Sequence, residues 1–241
     1  MESGQRDPRD DAAANRWKSE PYPDYREDVN RSISFAGLEV DFFLEGKADH
    51  LKGLIAEHIP GDAPVCLDIG CGLGAMHPFL KGSVRELHGI DPSEQAIREA
   101  ARANPWVSYT RFDGRVLPIA DNSVDVTFTS CVLHHVAPHD WRRFIGEARR
   151  VLRRDGLFVI FEHNPYNPLT RLAVLRCEFD RDAVLLTRRK TEGLVRAAGF
   201  AMIRGQYIFV VPWRASWVKR IERLIGALPL GAQYYVTGIR T

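Results

Sequence analysis

The sequence predicts an α/β protein: a doubly wound, mostly parallel seven-stranded sheet with helices on both faces and an antiparallel C-terminal strand. Three observations carry this. Residues 65–69, Val-Cys-Leu-Asp-Ile, are an apolar run that can be buried on both faces, as a central parallel strand requires, and they pass directly into glycines at 70, 72 and 74. Strand-like runs then alternate with helix-like ones, the pattern of a parallel sheet with helical crossovers. Finally, strand-like runs at 201–211 and 233–240 end the chain in place of a second nucleotide-binding half.

The elements follow in order. Residues 1–20 are polar, charged and aperiodic, and read as a disordered tail. Residues 21–62 are expected to form an N-terminal helical lid or cap. They carry the aromatics Tyr22, Tyr25, Phe35 and Phe43, then a helix broken near Gly46 or Gly53 and ended by Pro60-Gly61. Residues 63–241 form the core. A strand at 64–69 leads into the glycine turn and a short helix near Ala75, with Pro78 in its first turn. Strands follow at 84–90, 106–112, 123–131 and 157–161, with a helix at 93–103 between the first two. The helix at 140–153 has the clearest stripe, Trp141, Phe144, Ile145, Ala148, Val151 and Leu152, with Asp140 as its expected N-cap and Asp155-Gly156 closing it. An irregular insertion at 162–186, punctuated by Pro165 and Pro168, is expected to be a substrate lid. A helix at 188–198 precedes the C-terminal strands, and a second amphipathic helix at 215–225 lies between them.

Composition narrows the function classes. A net charge of +2 over 241 residues is no basic field of the kind a nucleic-acid binder carries. The arginines of the 140–153 helix (142, 143, 149, 150, 153 and 154) lie opposite its apolar stripe and read as a solvated face. No apolar run reaches the roughly 20 residues of a membrane span, and the N-terminus has no apolar core of a secretory signal. The four cysteines, 66, 71, 131 and 177, are scattered, so neither a disulfide framework nor a zinc site is expected, and a reducing cytoplasm is. No His, Cys and Asp spacing points to a metal.

The unusual residues fall at the carboxyl ends of the strands, where open α/β sheets bind ligands. Asp68 and the glycines end the first strand. Asp91 ends the second, placed to accept both hydroxyls of a ribose. Asp113-Gly114 ends the third, beside an adenine edge, and Ser130-Cys131 ends the fourth. A nucleoside-containing cofactor is the natural consequence. Gly70, Gly72 and Ala75 also satisfy the dinucleotide fingerprint literally. Asp68, two residues before the turn, and the missing second half count against NAD.

Asp68-Ile69-Gly70-Cys71-Gly72-Leu73-Gly74 resembles the first motif of the S-adenosylmethionine-dependent methyltransferases with the seven-stranded Rossmann-like fold. Asp91, Asp113-Gly114, the stretch from Ser123 to His135, and Val151–Gly156 resemble that family's later motifs. The resemblance covers residues 38–161 well. It implies S-adenosylmethionine as cofactor, with Asp68, Gly70, Cys71, Gly72 and Gly74 around the methionine and ribose. Asp91 and Pro92 would lie at the ribose, Asp113 and Gly114 at the adenine, and Ser130, Val132 and His135 on the methionine side, facing the substrate. Lys47 would approach the methionine carboxylate.

Methyl transfer from a sulfonium needs alignment above all, and sometimes a base. Glu162 and His163, after the fifth strand, are candidate bases, with His135 as a third. The structural alternative is that Glu162 and His163 cap strand ends and that His134-His135 serve shape. The expected partner is a small-molecule acceptor, methylated on oxygen, nitrogen or carbon in the biosynthesis of a metabolite. Nucleic acid is not expected, and the oligomeric state, monomer or homodimer, is not legible. Two other classes stand beside this one. An NAD-dependent oxidoreductase would need a catalytic set such as Tyr-x-x-x-Lys, which is absent. The other is a non-catalytic S-adenosylmethionine-binding partner subunit.

Overall fold

A computed structural model of the chain describes residues 25–211 and 224–241. The expected tail at 1–20, Tyr22, and the expected helix at 215–225, except Leu224 and Ile225, lie outside the described residues.

Seven strands form one sheet: β1 (Val65–Ile69), β2 (Glu86–Asp91), β3 (Ser108–Arg111), β4 (Val124–Ser130), β5 (Leu152–His163), β6 (Phe200–Ile208) and β7 (Gln233–Arg240). Their order is β3-β2-β1-β4-β5-β7-β6. Strands β1 to β5 pair in parallel, and β7 runs antiparallel between β5 and β6. The winding direction reverses between β1 and β4. Their carboxyl ends, with that of β2, therefore open the crevice where such sheets bind ligands.

Alternation along the strands separates two cores. Leu67 and Ile69 of β1 and Phe158 and Ile160 of β5 join one face. Cys66 of β1 and Leu157, Val159 and Phe161 of β5 join the other. Six helices lie wholly within the described residues: α1 (Tyr25–Ile33), α2 (Val40–His58), α3 (Glu94–Ala103), α4 (Trp141–Val151), α5 (Pro168–Arg176) and α6 (Arg188–Ala197). Helix α4 buries Trp141, Ile145, Ala148 and Val151 on the first face. Each large apolar side chain so buried contributes roughly 1.5–3 kcal/mol. Helix α2 covers the second face through Leu44, Ala48, Leu51, Leu54 and Ile55.

Several local expectations are corrected. Helix α2 is continuous over 19 residues and is not broken at either glycine. A Cβ on Gly46 would meet the Phe209 ring, whereas Gly53 opens onto free space, so one glycine serves packing and the other is tolerated because burial of the helix face holds the turn. The short helix near Ala75 is a 3-10 turn at His77–Leu80. Asp140 does not cap α4 with its side chain, which instead lies 3.0 Å from Arg143. That helix ends at Val151 and passes straight into β5, where Asp155 adopts φ 63°. The insertion at 162–186 is partly helical, containing α5 and a 3-10 turn at Glu178–Asp180. Asn167 caps α5 by accepting from the Leu169 and Thr170 amides. Of the arginine run, residues 142, 143, 153 and 154 are exposed as expected, and 149 and 150 are partly buried. Arg150 pairs with Glu147 at 2.7 Å, Arg153 with Asp125 at 2.7 Å, and Arg149 reaches the Thr241 carbonyl.

Candidate active site

The glycine turn after β1 is held by its neighbour strand. The Gly70 and Cys71 amides both donate to the Ile90 carbonyl, at 2.8 and 3.0 Å. Gly70, Gly72 and Gly74 take φ of 79°, 51° and 64°, a region that L side chains rarely adopt. The Gly72 amide donates to Asp91 Oδ2 at 2.9 Å, and the Ser93 amide to Asp91 Oδ1 at 2.8 Å. Asp91 is thereby clamped between the turn and the start of α3, with one lone pair on each oxygen left to accept from a ligand. Burial pushes its carboxyl up to about 6, against the two amides that lower it. Pro92 accepts from Arg111 through its carbonyl.

Asp68 is buried and its Oδ2 lies 2.9 Å from His77 Nε2. His77 Nδ1 in turn lies 2.6 Å from the Tyr109 hydroxyl, and the two rings stack. Asn104 donates to the Gly74 carbonyl at 3.2 Å. His77, Tyr109 and Asn104 were missed by sequence reasoning, which had no local signal for them. Asp68 Oδ1 is buried and has no hydrogen-bond partner among the described residues. A carboxylate oxygen stranded this way calls for a donor from outside the chain, and an α-ammonium group supplies one. The clamped Asp91 and the stranded Asp68 oxygen therefore fit a cofactor with an amino acid at one end and a ribose at the other. Asp113 is exposed and spends Oδ1 on its own turn, accepting from the Arg115 and Val116 amides, which hold its carboxyl below the usual range. Gly114 follows with φ 79° and open space where a Cβ would be.

The second half of the site lies at the ends of β4 and β5. The buried Lys47 reaches across from α2, donating to Ser130 Oγ at 2.7 Å and lying 3.7 Å from Cys131 Sγ. Cys131 adopts φ 58°. Burial would raise its thiol, but Lys47 and then His163 outweigh this and bring it to about 7. Val132 packs onto Gly70, its methyls 2.7 Å from where a Cβ on that glycine would stand.

Glu162 has no accessible surface, and all its oxygens are engaged. Oε1 accepts from the Leu133 and His134 amides at 2.8 and 3.3 Å, and Oε2 lies 2.5 Å from His134 Nδ1. The expected place of Glu162 as a base touching substrate is corrected: a carboxylate with no accessible surface presents no oxygen to an acceptor. His135 Nε2 lies 3.4 Å and His163 Nε2 3.9 Å from the carboxylate of Asp180, which the insertion contributes. Burial, then the adjacent His134, lowers His135 to about 4, so its imidazole is neutral. Burial alone would lower His134, but the Glu162 charge outweighs it and raises that imidazole. Burial would raise Asp180, but its contacts with His134 and His135 hold it well below the carboxylate range. Although the sequence spacing pointed to no metal, His134, His135 and Asp180 each place a ligand atom within 4.8 Å of the others.

A family profile described as a methyltransferase domain matches residues 67–160, from β1 to β5. An uncharacterized methyltransferase of Synechocystis is 30% identical over 142 residues, covering 57% of this chain and 67% of that protein. The chain belongs to the S-adenosylmethionine-dependent methyltransferase family. The family implies S-adenosylmethionine as the cofactor, in agreement with the Asp68 and Asp91 geometry. A mitochondrial arginine-hydroxylase of Homo sapiens, NDUFAF5, is 30% identical over 122 residues, covering 47% of this chain and only 34% of its own length. A crystal structure from Thermotoga maritima, described as an S-adenosylmethionine-dependent methyltransferase and possible histamine N-methyltransferase, shares the fold with TM-score 0.59 and 20% identity, over 90% of this chain and all of that one.

Proposed function

We propose that this methyltransferase-family chain moves the methyl group of S-adenosylmethionine to a small-molecule acceptor, on oxygen, nitrogen or carbon, in the biosynthesis of a metabolite. The observation that carries it is the Asp91 carboxylate, clamped by the Gly72 and Ser93 amides with acceptor capacity to spare, next to the stranded Asp68 oxygen. Bound S-adenosylmethionine supplies a methyl group on a sulfonium whose leaving group is already good, so the protein's task is alignment. Asp68 holds the ammonium, and Gly70, Cys71, Gly72 and Gly74 let the backbone come close. Asp91 and Pro92 receive the ribose, and Asp113 and Gly114 border the adenine. Ser130, Val132 and His135 face the methyl group. His135 is neutral in this setting and, with His163, is the candidate to take a proton from the acceptor. Glu162 acts through His134.

The N-terminal segment 21–62 and the insertion 162–186 serve as the lid over the core at 63–241. In support, α1 packs on α5, and Asp28 of α1 lies 3.8 Å from Cys177 Sγ. Among the described residues no helix is long and apolar enough to cross a membrane. The four free thiols suit a reducing, cytoplasmic setting.

Calorimetry tests the cofactor. S-adenosylhomocysteine and S-adenosylmethionine should both bind, and NAD should not; silence from the first two at millimolar levels overturns the proposal. Formation of S-adenosylhomocysteine by the isolated chain with a panel of small acceptors then separates an enzyme from a partner subunit.

A further inference from the structure

We infer that His134, His135 and Asp180 form a binding site for a divalent first-row transition metal ion at the acceptor end of the crevice. His134 Nε2 is fully buried and has no hydrogen-bond partner among the described residues. It points at Asp180, with Oδ1 3.5 Å away, and His135 Nε2 approaches the same oxygen at 3.4 Å. A charge-assisted hydrogen bond would close to about 2.7–2.9 Å. The 3.5 and 3.4 Å spacings are instead close to the edge of a tetrahedron of ligands, each about 2.0–2.1 Å from a central ion, which is about 3.3–3.4 Å.

The surroundings are those of a metal ligand. Glu162 Oε2 takes the proton of His134 Nδ1, and the Leu133 and His134 amides fix that carboxylate in turn. A carboxylate behind a histidine sets the tautomer that leaves Nε2 as a lone pair and makes the imidazole a better donor. A metal ion bound there would compete with protonation of Nε2. Glu162 and Asp180 bring two carboxylates to the imidazoles of His134 and His135, with His163 Nε2 3.9 Å from Asp180, so the cluster favours a cation. Two nitrogens and one carboxylate suit zinc or ferrous iron, whereas Mg2+ and Ca2+ take oxygen ligands. Three protein ligands leave a position for water or for an oxygen or nitrogen of the acceptor, which the ion would hold and acidify, and with His135 on the ion His163 is left as the candidate base. Asp180 comes from the insertion, so the same ion would tie the lid to the ends of β4 and β5.

The site rests on the chain's own ligands and not on methyl transfer, and the two are measured separately. The full chain is stripped with chelator and titrated with Co2+ as a spectroscopic probe, with Zn2+ and Mg2+ as competitors. The expected result is stoichiometric binding with the intense visible bands of low-coordinate Co2+, displaced by Zn2+ and untouched by Mg2+. Asp180→Ala and His135→Ala should each weaken Co2+ binding about 100-fold, with S-adenosylhomocysteine affinity retained in Asp180→Ala. Glu162→Gln should weaken it about 10–100-fold. There the amide donates to His134 Nδ1 and forces the proton onto Nε2, while the side-chain volume is kept. Should Asp180→Ala fail to fold, His135→Gln carries the same comparison. Absence of the visible bands at saturating Co2+, or equal affinity in wild type and the folded variants, overturns the site.

Discussion

The methyl groups of Val132 stand 2.7 Å from the point where a Cβ on Gly70 would begin, so the first loop of the crevice and the loop after β4 are packed against each other with no room between them. Gly70 also sits at φ 79°. Gly70→Ala therefore meets two penalties: roughly 1–2 kcal/mol for the left-handed conformation and roughly 1–3 kcal/mol for overpacking. The expected result is a lower denaturation midpoint together with a loss of S-adenosylhomocysteine binding. Adding Val132→Ala should recover the packing part and leave the conformational part. Equal stability of the single and double variants would show that the contact carries no weight.

Asp91 links pH to both stability and binding, in opposite senses. Burial raises its carboxyl from 3.8 to about 6. Because the folded value lies above the unfolded one, the stability this group adds is fully present below pH about 3.8 and is lost as pH rises through about 6. The shift corresponds to about 3 kcal/mol. The ionised form is the one that accepts ribose hydroxyls. Affinity for S-adenosylhomocysteine should thus fall as pH drops below about 6, by up to about tenfold per unit. Asp91→Asn should weaken binding about 10–100-fold and flatten the profile. Calorimetry across this range checks both, and a flat wild-type profile would remove the ribose role.

His77 is the support for Asp68. His77→Phe would leave a buried carboxylate without its partner, a loss of roughly 3–5 kcal/mol in denaturant unfolding. Tyr109→Phe removes only the hydroxyl 2.6 Å from His77 Nδ1 and should cost about 1 kcal/mol. If both variants lose the same amount, the Asp68–His77–Tyr109 chain does not run in that order.

Lys47 lies 3.7 Å from Cys131 Sγ and lowers that thiol most, to about 7. Lys47→Met should raise that thiol and slow its alkylation near neutral pH, on the order of tenfold. Mass spectrometry of iodoacetamide-treated protein reads the site directly. An unchanged rate at Cys131 would assign the lowering to His163 instead.

Much of the crevice was legible in the chain itself. The apolar strand running into Gly70, Gly72 and Gly74 needs only local sequence to be recognised, because burial on both faces and left-handed turns are local demands. Asp91 was legible for the same reason, ending β2 by its own pattern, whereas Asp113 lies two residues beyond the end of β3, in its own turn. The stripe of α4 announced a helix, although the Asp140 cap did not form because its carboxylate found Arg143 within one turn.

What the sequence by itself determined was the fold, the family and the place of the glycine turn and Asp91 at the strand ends. Tertiary structure decided the rest. Gly46 reads as a helix breaker until Phe209, from beyond β6, is seen to pack on it. Glu162 reads as a base until the Leu133 and His134 amides are seen to enclose it. Asp180 carries no local signal, lying in an aperiodic insertion, and meets His134 and His135 only because α5 and its following turn return the chain to the ends of β4 and β5. Periodicity reports which face a residue takes; which distant side chain meets it there is set by packing, and the chemistry of the acceptor end rests on those meetings.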